Sequence, residues 1–238
     1  MKNYLKVLGG ENKMQRQVKF LFTHITEALS EVCCDLCCGD GKYLKHLGNG
    51  SIGIDFFRSP NLTISKYFSF KIIKKISELR NIFTALKIRP RVIVFSNTLE
   101  HILDPHVFLI NIRRSMQDNT ALFLTVPITH IFLYKILRLI LPTFISKKWK
   151  GFLQSDHVNF FSCDTLDLTI QFSGFKIEKR YYGFGFDVPI FRYLSRMITP
   201  TYGVICYKIP NWNYRDKPSV AKFLDENEQI QFKSYTEF

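Results

Sequence analysis

Apolar and polar positions change rhythm several times along the chain, and each change predicts an element. "EVCCDLCC" is a short, mostly apolar run that reads as a strand. "GDGKYLKHLGNG" follows with Gly39 and Gly41, a helical stretch and a Gly-Asn-Gly stop, and "SIGIDFF" is a second strand ending at Asp55. "NLTIS" predicts a short third strand, and "FKIIKKISELRNIFTALK" a basic amphipathic helix. "RVIVFSN", Arg91 to Asn97, contains an apolar run suited to a strand buried on both faces. In "DPHVFLINIRRSM", Asp104 caps a helix with Pro105 at its first position, and Val107, Phe108, Ile110 and Ile112 supply the buried face. "QDNTALFLTVP" gives a polar turn and another apolar strand. Ser162 can cap a helix running to Phe172, with Gly174 ending it. "FKIEKRYYG" and "YGVICYKI" close the series as strands. Ahead of all these, "MQRQVKFLFTHITEAL" has helical spacing and predicts a helix over the pocket or the sheet edge. No internal repeat or low-complexity block interrupts the order.

Composition narrows the class. A chain of 238 residues, 46% hydrophobic, buries one substantial core, so a single α/β domain is expected. "MKNYLKVLGG" lacks the apolar run and cleavage pattern of a secretory signal, which predicts a cytoplasmic setting with reduced thiols. The formal charge of +13 suits nucleic acid, a membrane surface or an acidic substrate, and equally plain solubility; charge alone chooses none of them. Lys66, Lys71, Lys74 and Lys75 read as a solvated face rather than a nucleic-acid site. "ITHIFLYKILRLILPTFISKKWKGF" is interrupted by Lys135 and Arg138 and broken by Pro142, so it is no membrane span. It predicts a lid over an acceptor site, or else an interfacial helix across 128–150 with "KKWK" against anionic headgroups; the lid is favoured.

Four of the six cysteines crowd into "CCDLCC". Cys34 and Cys37 have C-x-x-C spacing, but Cys33 and Cys34 on one strand point to opposite faces, and Cys163 and Cys206 stand alone. We read them as small hydrophobes finishing a buried strand rather than as a zinc or redox site. The glycine loop after them has the outline of a dinucleotide fingerprint, but G-x-G-x-x-G fails: counted from Gly39, Leu44 holds the third glycine position. Asp35, Asp40 and Asp55 border the expected pocket, which disfavours a pyrophosphate. Three carboxylates suit a ligand with a positive centre and ribose hydroxyls. S-adenosylmethionine, with a sulfonium, an ammonium and no phosphate, is such a ligand.

"DLCCGDGKYL" resembles the first motif of class I S-adenosylmethionine-dependent methyltransferases, D-x-G-x-G-x-G, and "GIDFF" the close of their second strand. "VIVFSNTLEHILDPHVFLINIRRSMQDNTALFLTVP" is similar to their fourth strand, following helix and fifth strand. "DHVNFFSCDTLDLTIQFSGFKIEKRYYGF" resembles a later segment of the subgroup that methylates small molecules, quinone precursors and sugars. The resemblance implies a Rossmann-like, doubly wound sheet of seven strands, mostly parallel with the last antiparallel, in three α/β/α layers. It implies one methyltransferase domain over 1–210 and a polar tail over 211–238. Within the domain, 31–127 would be the cofactor-binding half, 128–162 a lid-like insertion and 163–210 the closing helix and strands. The cofactor would be S-adenosylmethionine, held by Asp35, Cys37, Gly39, Asp40, Gly41, Asp55, Phe56, Asn97, Thr98 and Leu99.

The acceptor implied is a small molecule, or one linked to a glycan or lipid, with O-methylation favoured. A hydroxyl acceptor needs a base, and His101 and His157 are the candidates, each weighed against a histidine that merely holds a loop. Glu100 reads as helix-end or backbone support. In the quinone O-methyltransferases two glutamates and a histidine hold a divalent ion; Glu100 and His101 match, but Asn97 stands where the first glutamate would be, so no metal is expected. Cys37 replaces the family's first loop glycine, and Asp55 to Arg91 lacks the acidic residue often aimed at the adenine amine, leaving Ser65 near the base. Two other classes stay open: an RNA-modifying or RNA-binding protein using the basic surface, and an inactive cofactor-binding remnant.

Overall fold

The computed structural model describes residues 13–62, 67–128, 157–183 and 199–212. Its strands are β1 (Cys33–Leu36), β2 (Ile52–Asp55), β3 (Ser69–Ile72), β4 (Val92–Ser96), β5 (Ala121–Pro127), β6 (Phe175–Tyr182) and β7 (Thr201–Lys208). They form one seven-stranded sheet in the order β3-β2-β1-β4-β5-β7-β6. The pairs from β3 through β5 are parallel, and β7 runs antiparallel to both β5 and β6. The helices are α1 (Lys13–His24), α2 (Leu79–Ala85), α3 (Pro105–Ser115) and α4 (Cys163–Phe172).

The period-two alternation of β4 shows why both sheet faces are covered. Ile93 and Phe95 enter one core with Phe108, Leu109 and Ile112 of α3 and Leu166 and Ile170 of α4. Val92 and Val94 enter the opposite core with Val18 and Leu21 of α1 and with Ile25 and Ala28. Each large apolar side chain so buried contributes about 1.5–3 kcal/mol. The caps read from sequence form: Asp104 Oδ1 accepts from Val107 N at 2.9 Å, and Ser162 Oγ accepts from Thr165 N at 3.1 Å. In β7, Gly203 lies so close to β5 that a Cβ there would stand 2.9 Å from Leu124 O and 2.6 Å from Thr125 Cγ2.

The structure corrects the reading in three places. The third strand is Ser69–Ile72, not "NLTIS"; Asn61 and Leu62 lie outside any strand, and residues 63–66, with Ser65 and Lys66, are outside the described residues. The segment expected as one amphipathic helix from Phe70 to Lys87 instead begins in β3, passes a 3-10 turn at Ile76–Glu78 and becomes helical only in α2. An edge strand explains the error: Ser69, Lys71 and Ile72 are exposed, so β3 carries no buried apolar signature. The helical stretch after Gly41 is likewise only turns and a 3-10 helix at Leu44–His46. The lid expected over 128–162 and the tail fall largely outside the described residues, as do 129–156 and 213–238. No helix among the described residues is long and apolar enough to cross a membrane.

Candidate active site

The carboxyl ends of β1, β2 and β4 converge on one edge of the parallel sheet, where open α/β sheets bind ligands. After Leu36 the chain turns back: Cys37 N and Cys38 N donate to Ile54 O at 2.7 and 3.3 Å, and Gly41 N donates to Cys38 O at 2.8 Å. Three residues of this loop have positive φ, Cys37 at 56°, Gly39 at 50° and Gly41 at 71°. Gly39 and Gly41 adopt that conformation at no steric cost, whereas Cys37 carries a Cβ in it. Replacing it with the glycine of the family motif, Cys37→Gly, should raise stability by about 1 kcal/mol, read as a higher midpoint in urea denaturation. A Cβ built on Gly39 meets nothing within 4 Å, so the loop has an open side.

Asp55 fastens this loop. Its Oδ2 accepts from Gly39 N at 2.8 Å and its Oδ1 from Phe56 N at 2.7 Å. Asp35 is 3% exposed, and burial pushes its carboxyl up to about 8; a hydrogen bond from the Leu44 backbone opposes this and the Asp55 charge adds to it. Asp35 Oδ2 is buried with no hydrogen-bond partner among the described residues. A buried acceptor with nothing to accept is costly, and a cation or an N–H donor brought by a ligand would satisfy it. Asp40 behaves otherwise. Ser59 Oγ donates to its Oδ1 at 2.5 Å and Lys42 pairs with it at 3.6 Å, and the Ser59 bond first, then Lys42, hold its carboxyl below the usual range. Asp35 and Asp55 therefore share one neighbourhood, while Asp40 is tied to the loop after β2. Ser59, the anchor of Asp40, had no signal in the sequence beyond being a serine in a turn.

All six cysteines are free, and burial raises the thiols of Cys33, Cys34, Cys37 and Cys38, Cys33 to about 11. Protonated thiols are neither good nucleophiles nor metal ligands. Phe56 is partly buried, its ring 6.3 Å from that of Phe108, while the next ring, Phe57, is 67% exposed.

At the end of β4, Asn97 has φ 50°, a conformation asparagine tolerates. Its N donates to Thr125 O at 2.8 Å and its Nδ2 to Ser96 Oγ at 2.8 Å. Ser96 Oγ also donates to Tyr43 Oη at 3.2 Å and shares a hydrogen bond with Thr125 Oγ1 at 2.7 Å; Tyr43 Oη donates to Gln17 Oε1 of α1. This polar chain, absent from the sequence reading, ties α1 to the floor of the site. Thr98 Oγ1 turns back to Ser96 O at 3.2 Å, and the Leu99 side chain is wholly in the core, so a ligand can meet only its backbone.

Leu99–His101 is a 3-10 turn that holds Glu100 at 2% exposure. Val158 N and Asn159 N both donate to Glu100 O, at 3.0 and 2.9 Å, and Asn159 Nδ2 donates to Ile102 O. These bonds bring together segments far apart in sequence: the His101 and His157 rings lie 4.7 Å apart, nearly perpendicular at 77°. Glu100 Oε1 stands 3.9 Å from His101 Nε2. One ligand atom from each of Glu100, His101 and His157 lies within 4.8 Å of the others, the one such cluster among the described residues. At 3.9 Å the Glu100–His101 pair is too far apart for a hydrogen bond, but the carboxylate and two imidazoles face one small volume and could converge on a borderline cation.

A profile of the methyltransferase domain family matches residues 9–180. No curated protein matches the chain in sequence. Among solved structures, it is similar to an S-adenosylmethionine-dependent methyltransferase from Anabaena variabilis, with TM-score 0.58, 14% identity, and coverage of 86% of this chain and 91% of that one. It is also similar to one from Mesorhizobium loti, with TM-score 0.53, 12% identity, and coverage of 84% and 100%. A third is the 1,6-didemethyltoxoflavin-N1-methyltransferase of Burkholderia thailandensis, solved with its substrate and S-adenosylhomocysteine, with TM-score 0.54, 12% identity, and coverage of 87% and 83%. The likenesses carry the fold, and the family match over most of the chain carries the chemistry. The chain belongs to the methyltransferase domain family and is a class I S-adenosylmethionine-dependent methyltransferase.

Proposed function

We propose that this methyltransferase modifies a hydroxyl of a small, largely apolar acceptor, free or linked to a lipid or glycan. The single observation that supports this most is the convergence of His101 and His157 beside Glu100. S-adenosylmethionine supplies a methyl group on a sulfonium, whose leaving thioether needs no acid. Asp35 would face the cofactor's positive charge with its unpartnered Oδ2, the Gly39–Gly41 turn would admit it closely, and Asp55 would hold that turn and reach the ribose. Asn97 and Thr98 would present backbone along its other side. A hydroxyl acceptor must lose a proton as it attacks; one imidazole would take it, and the second imidazole with Glu100 would stabilise the resulting cation. Leu103, Val158 and Phe160, next to these residues in sequence, are 54%, 49% and 52% exposed, an apolar surface that suits an apolar acceptor.

An acceptor panel tests the reading. Transfer from labelled cofactor should be faster to apolar phenols and alcohols than to carboxylic acids or thiols of matched size. A preference for thiols or carboxylic acids, which need no base, would contradict it. The same cluster favours a second reading: two histidines and a glutamate form a zinc-type ligand set. We expect activity to survive EDTA with less than a twofold change, as a metal-free base requires; loss on EDTA restored by zinc would establish the metal instead.

A further inference from the structure

We propose that the cavity at the opposite edge of the sheet is a second binding site, for a ligand carrying phosphate groups. The cavity, about 700 Å³, is lined by Arg80, Lys87, Arg89, Arg114 and Lys208 against a single carboxylate, Asp118. It lies beyond the amino ends of the parallel strands: Arg89 precedes β4, Asp118 precedes β5, and Lys208 ends the antiparallel β7. The methyl-transfer site is at the carboxyl ends, so the two are separated by the length of the strands.

The carboxylate does not balance the cations. Lys208 Nζ holds Asp118 Oδ1 at 2.8 Å and also donates to Met116 O at 2.9 Å, which accounts for that one acid and that one base. The described residues offer Arg80, Lys87 and Arg89 no ion-pair partner. The hydroxyls nearby are turned away: Thr84 Oγ1 donates to Arg80 O at 2.9 Å and Ser115 Oγ to Asn111 O at 3.0 Å. What faces the hollow is therefore positive charge over a floor that includes the buried Phe83 and Met116. Like charges around a concave surface repel one another, and a concave, low-dielectric wall focuses their field on an anion. Guanidinium groups are well shaped for phosphate, to which they donate in pairs. Its volume falls within the range of small-molecule sites.

The alternative is that Lys87, Arg89 and Arg114 serve the helix ends, since α2 and α3 both finish here and their terminal carbonyls favour positive charge. The two accounts differ in sign. If the cations cap helices, removing them lowers stability; if they await an anion, removing them relieves repulsion.

The test uses the intact protein, the double variant Lys87→Gln/Arg89→Gln, and a control, Lys71→Gln/Lys74→Gln, that removes the same charge from an exposed surface elsewhere. Inorganic pyrophosphate and vesicles of phosphatidylcholine with and without phosphatidylglycerol are the probes, read by calorimetry and co-sedimentation. We expect one of the two anionic probes to bind and to bind at least tenfold more weakly to the cavity variant, with the control unchanged. Pyrophosphate binding would indicate a soluble phosphate ester, and vesicle binding an anionic lipid headgroup. Without any probe, the cavity variant should melt at or above the temperature of the unmodified protein. The proposal is overturned if neither probe binds, if the control loses as much as the cavity variant, or if the cavity variant melts lower in the absence of a probe.

Discussion

His157→Ala should lower kcat for a hydroxyl acceptor by about 10²- to 10⁴-fold, the range for loss of a positioned general base. His101→Ala should do nearly the same, and the double variant should be little worse than either, because two groups that act as a unit are not additive. The geometry argues for this. The two rings meet at 4.7 Å, and Glu100 lies 3.9 Å from His101, so both imidazoles sit beside one buried carboxyl and face the same volume. Cofactor affinity should stay within about threefold, since neither histidine is placed in the Gly39–Gly41 turn. Steady-state kinetics together with calorimetric titration of S-adenosylhomocysteine separate the two effects. If the histidines only hold the loop, KM and thermal stability would change together and kcat would not fall selectively.

Asp55→Ala should weaken S-adenosylhomocysteine binding by about 2–4 kcal/mol, from the loss of charge-assisted hydrogen bonds worth roughly 1.5–3 kcal/mol each. Two such bonds are seen, to Gly39 N at 2.8 Å and Phe56 N at 2.7 Å, and both hold backbone that shapes the loop. Asp55→Asn retains an acceptor oxygen and should lose about half as much. Calorimetry on both variants checks the order; equal, small losses would mean that the carboxylate neither shapes the turn nor meets the ligand.

How much of this was legible in the sequence depends on where each residue's partners lie. β4 and β5 announced themselves because strands buried on both faces carry near-continuous apolar runs, as "VIVF" and "ALFL" are, and β1 did so more weakly, with Asp35 inside "CCDL". The caps at Asp104 and Ser162 were legible because their partners lie within the same turn. β3 was misplaced because "SFKI", an exposed edge strand, has no burial pattern to read. Asp35, Asp40 and Asp55 were named together from charge and their place around the glycine loop; the partner that holds Asp40, Ser59, nineteen positions away, is a choice made by loop geometry that the sequence does not show. His101 and His157 were each proposed singly. Their meeting depends on two backbone bonds to Glu100 O, and no side-chain pattern encodes those. Cys37 was visible as a departure from the motif, but only its φ of 56° shows that the departure strains the turn.

The account's central claim is that the cofactor hollow is built around a buried carboxyl, Asp35, that a cationic ligand converts to the carboxylate. Asp35 is protonated below about pH 8 because of burial, with Asp55 adding to the shift. Its pKa in the unfolded chain is near 4, so between these values folding takes up a proton and apo stability falls as pH rises toward 8. A cationic ligand reverses the preference and favours the carboxylate. The direct measurement is calorimetric titration of S-adenosylmethionine at pH 7 in two buffers of different ionisation enthalpy, on the unmodified protein and on Asp35→Asn, with NAD as the phosphate-bearing control. The account predicts tight binding with release of a proton, weaker binding with less proton released by Asp35→Asn, and no displacement of S-adenosylmethionine by NAD. Proton release identical in the two proteins, or S-adenosylmethionine displaced by equimolar NAD, would contradict it.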